Sequence, residues 1–237
     1  MARAEPQDVS GAAPRSAKFD AYARSYENLH RASVAASGED PSYFHDYKID
    51  CLRRKGLLRG PLLDFGCGTG NLTERFARAL GEVHDLHGYD PSTESLAEAQ
   101  ARAPSAVLHS DTSTLPRRHF ATAVLSGVLH HVPPHERDGV LATVCETLRP
   151  GGHVVVFEHN PLNPLTRRAV AACPFDDDAI LLWPWEARRL LRRAGFEDVA
   201  LDFIVFFPRP LAFLRRFEPR LRRVVLGAQQ MLVGVRP

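Results

Sequence analysis

The stretch Leu62-Leu63-Asp64-Phe65-Gly66-Cys67-Gly68-Thr69-Gly70-Asn71-Leu72 decides the fold. Its apolar run stops at three glycines in alternate positions. A helical pattern follows at once, with Leu72, Phe76 and Leu80 at i, i+4 and i+8. That is a strand, a tight turn and a helix. Glycine lets backbone come close to a ligand. A glycine-rich strand-to-helix turn in an α/β fold is where an adenosine-type cofactor sits.

The same alternation continues downstream. Strands are expected over 61–65, 82–89, 106–109, 122–126 and 153–157, with helices between them. Ser92 or Ser95 can cap the helix after the second strand, through Leu96, Ala97 and Ala101 to Ala103, and Arg149-Pro150-Gly151-Gly152 stops a helix over 134–148. Strand and helix alternating five times implies a parallel sheet with helices on both faces. The chemically interesting residues then fall at the carboxyl ends of strands: Gly66 to Gly70, Asp90, Asp111, Ser126-Gly127 and Glu158-His159. Further on, 159–183 reads as irregular, 184–194 as a helix, and 201–207 and 231–235 as strands. The piece 208–226 is amphipathic and rich in arginine.

Upstream, Phe19, Tyr22 and Tyr26 share one helical face, and Tyr43, Phe44, Tyr47, Ile49, Cys51 and Leu52 lie on a second helix after Asp40. Both helices are expected to cover the mouth of the pocket. Most of this aromatic stripe reads as packing surface, with Tyr22, Tyr26 and Tyr43 kept as pocket residues. Residues 1–15 form a polar lead-in without the apolar core of a signal peptide.

The 237 residues carry a net charge of +2, with lysine only at Lys18, Lys48 and Lys55. Acids nearly balance bases, which argues against nucleic acid as a partner. No run is long and apolar enough for a transmembrane helix. Cys51, Cys67, Cys145 and Cys173 are scattered, with no close pair of the zinc or redox kind. A reduced, cytoplasmic setting fits, with the protein a monomer or homodimer.

Asp90 lies twenty residues after Gly70, where an acid accepts hydrogen bonds from two ribose hydroxyls. The dinucleotide fingerprint needs a third glycine where this chain has Asn71. The alternate-glycine turn suits a ligand without pyrophosphate. The set Asp64-Phe65-Gly66-Cys67-Gly68-Thr69-Gly70, Tyr89-Asp90-Pro91-Ser92, Ser110-Asp111, Ser126-Gly127-Val128-Leu129-His130-His131-Val132 and Leu148-Arg149-Pro150-Gly151-Gly152 resembles the class I S-adenosylmethionine-dependent methyltransferases. Within them it is most similar to the small-molecule branch of ubiquinone and menaquinone methyltransferases. The resemblance covers about residues 58–160. It departs at Phe120-Ala121-Thr122, where the family usually has an Asp after the aromatic.

The resemblance implies a Rossmann-like, doubly wound, seven-stranded sheet, mostly parallel with an antiparallel last strand. It implies one domain over 16–237: a helical cap (16–57), a cofactor-binding core (58–160) and substrate-side insertions with the last strands (161–237). Gly66, Cys67, Gly68 and Gly70 would lie along S-adenosylmethionine. Asp64 would orient the loop or the amino group. Asp90, with Pro91, would hold the ribose, Asp111 and Thr112 the adenine, and Ser126 and Gly127 the methionine end. Cys67 itself reads as a small filler, with no basic neighbour to make it a nucleophile.

The acceptor is expected to be a small molecule, methylated at O, N or C. His131 is the first candidate for a base and His130 the second, with His159, Tyr43 and Phe213 on the substrate side. The His pair is also a helix-entry element in the family. No metal is expected: Asp176-Asp177-Asp178 reads as a solvated loop. Three readings stand for 208–226: a solvated amphipathic helix at the sheet edge, a lid over the acceptor, or a peripheral membrane contact. Two other functional readings also stand, an inactive methyltransferase-like scaffold and an NAD-binding oxidoreductase.

Overall fold

β1 (Leu62–Phe65) is buried along its whole length at the centre of a seven-stranded sheet. The computed structural model describes Arg31 and residues 34–81 and 85–237. β1 pairs in parallel with β2 (Leu86–Tyr89) on one side and β4 (Phe120–Ser126) on the other. β3 (Val107–His109) extends the sheet beyond β2, and β5 (Leu148–His159) extends it beyond β4, both in parallel. β6 (Glu197–Ile204) and β7 (Gln229–Val235) complete it, with β7 lying between β5 and β6 and antiparallel to both. The order is β3-β2-β1-β4-β5-β7-β6. This is the mostly parallel sheet with an antiparallel last strand that the sequence leads one to expect.

The order reverses between β1 and β4, and a sheet of this kind opens its ligand crevice at the carboxyl ends there. The glycine turn leaves β1 at that point, and Ser126-Gly127 leaves β4 beside it.

Side chains alternate across the sheet. Leu62, Val124 and Val155 pack on one face with Ile49, Leu52, Leu72 and Phe76. Those partners come from α1 (Pro41–Arg54) and α2 (Asn71–Leu80). Leu63, Phe65, Leu125 and Val156 pack on the other face. There they meet Leu141 and Val144 of α4 (Arg137–Thr147) and Leu190 and Leu191 of α6 (Pro184–Arg193). α3 (Thr93–Arg102) is capped by Ser92, whose hydroxyl accepts from the Ser95 N–H at 3.0 Å. Asp40 caps α1 by accepting from the Ser42 N–H at 2.9 Å, with Pro41 at the first helical position.

Several boundaries differ from the sequence reading. β5 starts at Leu148 because Phe120 pairs with Leu148 before the register shifts and Thr122 pairs with His153. β6 begins at Glu197 and stops at Ile204, since Val205 takes a left-handed φ of 62° that ends the ladder. The span 159–183 is not irregular throughout. It contains α5 (Pro164–Ala171), whose cap Asn163 accepts from the N–H groups of Leu165 and Thr166.

The arginine-rich span is not a long helix either. It is a tight 3-10 stretch, Arg209–Phe217, followed by the short α7 (Glu218–Leu221). Pro208, Pro210 and Pro219 remove N–H donors that a continuous helix would need. Nor is it merely solvated. Glu218 is buried and accepts from Tyr47 Oη at 2.5 Å and from the N–H groups of Phe206 and Phe207 at 3.0 and 3.1 Å. Arg215 donates to Glu39 Oε1 and lies 4.2 Å over the Tyr43 ring. The segment is therefore bolted onto α1 and its approach. Tyr22, Tyr26 and the first expected helix lie outside the described residues. No helix of the described residues is long and apolar enough to cross a membrane.

Candidate active site

A single cavity of about 1440 Å³ opens at the carboxyl ends of β1 and β4. A pocket for one small ligand is about 300–1,000 Å³, so this one has room for two molecules side by side.

One half is built on the glycine turn. Gly66, Cys67, Gly68 and Thr69 line it, with Asp90, Pro91 and Thr112 opposite. Gly68 has φ +51°, and a Cβ built on it would meet nothing within 4 Å. Its backbone therefore faces open space. The Gly68 N–H donates to Asp90 Oδ2 at 2.9 Å, and the Ser92 N–H donates to Asp90 Oδ1 at 3.0 Å. The carboxylate at the end of β2 thus holds the glycine turn at the end of β1. An open glycine cradle with a fixed carboxylate beside it fits an adenosine-type cofactor.

Asp64, on β1, is buried and accepts from Thr73 Oγ1 at 2.7 Å. Burial pushes its carboxyl up to about 7, opposed by the Thr73 hydrogen bond and the Lys48 charge. Burial likewise drives the Cys67 thiol far above its usual range, which leaves it an inert filler.

Two expected cofactor residues do other work. Gly70 does not line the cavity. With φ +80°, it would place a Cβ 2.7 Å from Ala99 Cα and 2.8 Å from Ala99 Cβ. It is glycine so that α2 can start against α3. Asp111 is exposed and outside the lining; its carboxylate accepts from the Ser113 N–H at 2.8 Å and caps the turn Thr112–Thr114. Thr112 alone of that pair reaches the cavity.

Tyr43, Lys48, Ser126, Gly127, His131 and His159 line the same cavity. The Tyr43 hydroxyl is buried without a hydrogen-bond partner among the described residues. Burial is the main reason its phenol is raised to about 12. Phe213 is 67% exposed on the 3-10 stretch and is not among the residues that line the cavity.

Lys48 is a feature that sequence reading missed. It is buried in α1 and donates to Ser126 Oγ at 2.7 Å. Burial lowers its ammonium to about 8, partly offset by Glu158 and Asp64. Helical periodicity does mark it, since it adjoins Ile49 and Leu52, but lysine on a surface helix reads as solvated.

The histidines divide by environment. His130 Nδ1 lies 2.6 Å from Glu158 Oε2, and both groups are fully enclosed. Burial opposes the charged ring, but Glu158 and Asp176 outweigh it and raise His130 to about 9. A ring that keeps its proton near pH 7 is not in the form that accepts one, which weighs against His130, the second candidate for the base. Burial and the neighbouring His130 lower His131 and His159 to about 4, so both rings are neutral near pH 7. The acidic run 176–178 is also not a plain solvated loop. Asp176 is buried, 3.5 Å from His130 Nε2 and 3.4 Å from His131 Nε2. An acid in a run of three gives no sequence sign of turning inward.

Residues 62–152 match the family model of a methyltransferase domain. The chain is 38% identical over 116 residues to a probable non-canonical nonribosomal peptide synthetase of Salinispora arenicola, covering 46% of this chain and 2% of that protein. It is 34% identical over 111 residues to a dTDP-3-amino-3,4,6-trideoxy-alpha-D-glucopyranose N,N-dimethyltransferase of Streptomyces venezuelae, covering 45% of this chain and 46% of that one. Both matches span less than two thirds of the relative's length. Among solved structures, a possible histamine N-methyltransferase from Thermotoga maritima superposes with TM-score 0.65 at 17% identity, covering 94% of this chain and all of that one. The match places a methyltransferase domain over residues 62–152, and the mostly parallel seven-stranded sheet around it is a fold shared with that solved structure.

Proposed function

We propose that the protein transfers a methyl group from S-adenosylmethionine to a small-molecule acceptor. The observation that carries this is a large cavity lined both by the glycine turn with Asp90 and by a set of polar side chains beyond it. We assign the glycine turn and Asp90 to the cofactor and Lys48, His131 and His159 to the acceptor side, with Ser126 and Gly127 at the methionine end between them. Gly68, Asp90, Pro91 and Thr112 would hold the adenosine part, and Asp64 would face the cationic end. When bound, S-adenosylmethionine supplies an electrophilic methyl carbon on a sulfonium. The chain's residues then have to align the acceptor and keep water out. Tyr43, Phe206 and Phe207 supply apolar wall, while Lys48 and the Tyr43 hydroxyl supply polar contacts. A buried site between cap and sheet admits a small molecule and not a duplex. The sugar-nucleotide relative supports an acceptor of that size.

Calorimetric titration with S-adenosylmethionine tests this reading and one of its details together. Asp64 sits at about 7 in the free protein, above its ordinary 3.8. A cation beside it favours the carboxylate. Binding at pH 7 is therefore expected to expel about half a proton from this group. The release should fade by pH 8.5, where Asp64 is already ionised, and shrink in Asp64→Asn. It is read from the binding enthalpy in two buffers of different ionisation enthalpy. No binding would overturn the function. Binding with the same proton release in Asp64→Asn would overturn the role given to Asp64. Transfer itself is read by incorporation of labelled methyl into pools of small hydroxyl, amine and carbon acceptors.

A further inference from the structure

His130, His131 and Asp176 converge at the acceptor end of the cavity, and all three line it. His130 and His131 come from the turn Leu129–His131 after β4, and Asp176 from the turn Pro174–Asp176 after α5. His130 Nε2 and His131 Nε2 lie 3.5 and 3.4 Å from the same oxygen, Asp176 Oδ1. A charge-assisted N–H···O bond is about 2.7–2.9 Å long. Both contacts are too long for that. Asp176 Oδ1 is buried and has no hydrogen bond of ordinary geometry among the described residues, its contacts to the two rings being the long ones just given. The carboxylate side chain is only 5% exposed.

These spacings are those of ligands around an ion. With metal-to-ligand bonds of about 2.0–2.2 Å, neighbouring ligand atoms lie roughly 3–3.5 Å apart. One candidate ligand atom from each of the three residues falls within 4.8 Å of the others. The support also matches. The far nitrogen of His130, Nδ1, meets Glu158 Oε2 at 2.6 Å, and Glu158 Oε1 accepts from the Leu129 N–H at 2.8 Å. A carboxylate behind a ligating histidine fixes the ring and its tautomer. The two turns are pinned together as well. The Ile180 N–H donates to the His130 carbonyl at 2.8 Å. The buried Arg137 side chain donates to the carbonyls of Val132 and Ile180 at 2.9 and 2.6 Å.

We propose that His130, His131 and Asp176 bind a divalent transition-metal ion of the zinc class, open toward the acceptor half of the cavity. Two imidazoles and one carboxylate suit zinc, cobalt or iron over calcium or magnesium. Resting on the methyl-transfer reading, the open coordination positions would take an oxygen of the acceptor, making it a hydroxyl or phenol. This gives His131 a ligand's role in place of the base's role, and it revises the expectation of no metal.

A second group of the same residue types sharpens the contrast. Asp85, His87 and His119 also come together, but there the His87 and His119 contacts to Asp85 are 2.7 and 2.6 Å. Those are completed hydrogen bonds, and that group carries no such proposal.

The test is titration of the purified chain with cobalt(II), followed by visible absorption, and with zinc, followed by calorimetry. One equivalent is expected in the wild type and in His119→Gln. Asp176→Asn and His131→Ala should each weaken binding at least tenfold, and Glu158→Gln tenfold to a hundredfold. S-adenosylmethionine affinity, measured on each variant, reports whether the fold is intact. No binding by the wild type would overturn the site. So would binding unchanged in the Asp176→Asn, His131→Ala double variant while cofactor affinity is kept, or binding lost in His119→Gln. Metal bound with transfer unaffected by its removal would leave the site standing and overturn its role toward the acceptor.

Discussion

Asp90→Ala is expected to weaken S-adenosylmethionine binding about a hundredfold, an effect of about 2–3 kcal/mol. Two separate losses add up to that figure. The first is in the free protein. Asp90 Oδ2 accepts from the Gly68 N–H and Oδ1 from the Ser92 N–H. Without the carboxylate the glycine turn is no longer held in the left-handed shape that opens its backbone to the cavity, and binding must supply that order. The second loss is in the complex, where the carboxylate would accept from the ribose hydroxyls. Asp90→Asn separates them. An amide oxygen can still take the Gly68 N–H, but the amide has one acceptor atom where the carboxylate has two, and no charge. It should therefore fall between wild type and Asp90→Ala. Calorimetry gives the affinities, and urea unfolding gives the part due to the free protein. Full affinity in Asp90→Ala would remove the ribose role and leave the carboxylate as a turn-holder only.

The hold of Asp90 on the glycine turn also shows how far the sequence could be read. The turn, α2 and the position of Asp90 were legible because each rests on local chemistry. Leu72, Phe76 and Leu80 repeat at helical spacing, Gly81 ends the helix, and an acid follows β2. What local chemistry cannot carry is which of two faces a small residue serves. Gly70 belongs to the same motif as Gly68, yet Gly70 meets Ala99 and Gly68 meets open space. The difference lies in where α3 packs. Asp111 shows the opposite case. Its capping bond to Ser113 is local, and the remote role gave it more weight than the near one. α5 was signalled by Asn163-Pro164, a cap followed by a first-turn proline, but the prolines nearby read as breakers. Lys48 and Asp176 needed the tertiary structure outright. Their neighbours, Ser126 in one case and His130 and His131 in the other, are distant in sequence.

Lys48→Met is expected to make the cofactor-free protein more stable at neutral pH, and the gain should disappear in alkali. Burial lowers the Lys48 ammonium from 10.5 to about 8. Holding the charge in the folded state therefore costs about 3 kcal/mol relative to the unfolded chain below pH 8. Between pH 8 and 10.5 the unfolded chain keeps its proton while the folded one gives it up. The unfolded state then binds more protons, so wild-type stability rises through that window and the cost fades. The stability difference, variant minus wild type, should thus shrink by about 3 kcal/mol from pH 8 to pH 10.5. Urea unfolding at a series of pH values measures it. A difference that does not change with pH would mean that Lys48 is not held charged in the fold. Methyl transfer should move the other way, dropping at least tenfold, because Lys48 and Ser126 are in contact where both line the cavity. A lysine that weakens the free protein and proves necessary for turnover would have its charge matched by what enters the cavity. It follows that an acceptor presenting an oxygen or an anionic group toward Ser126 should stabilise the wild type more than the Lys48→Met variant.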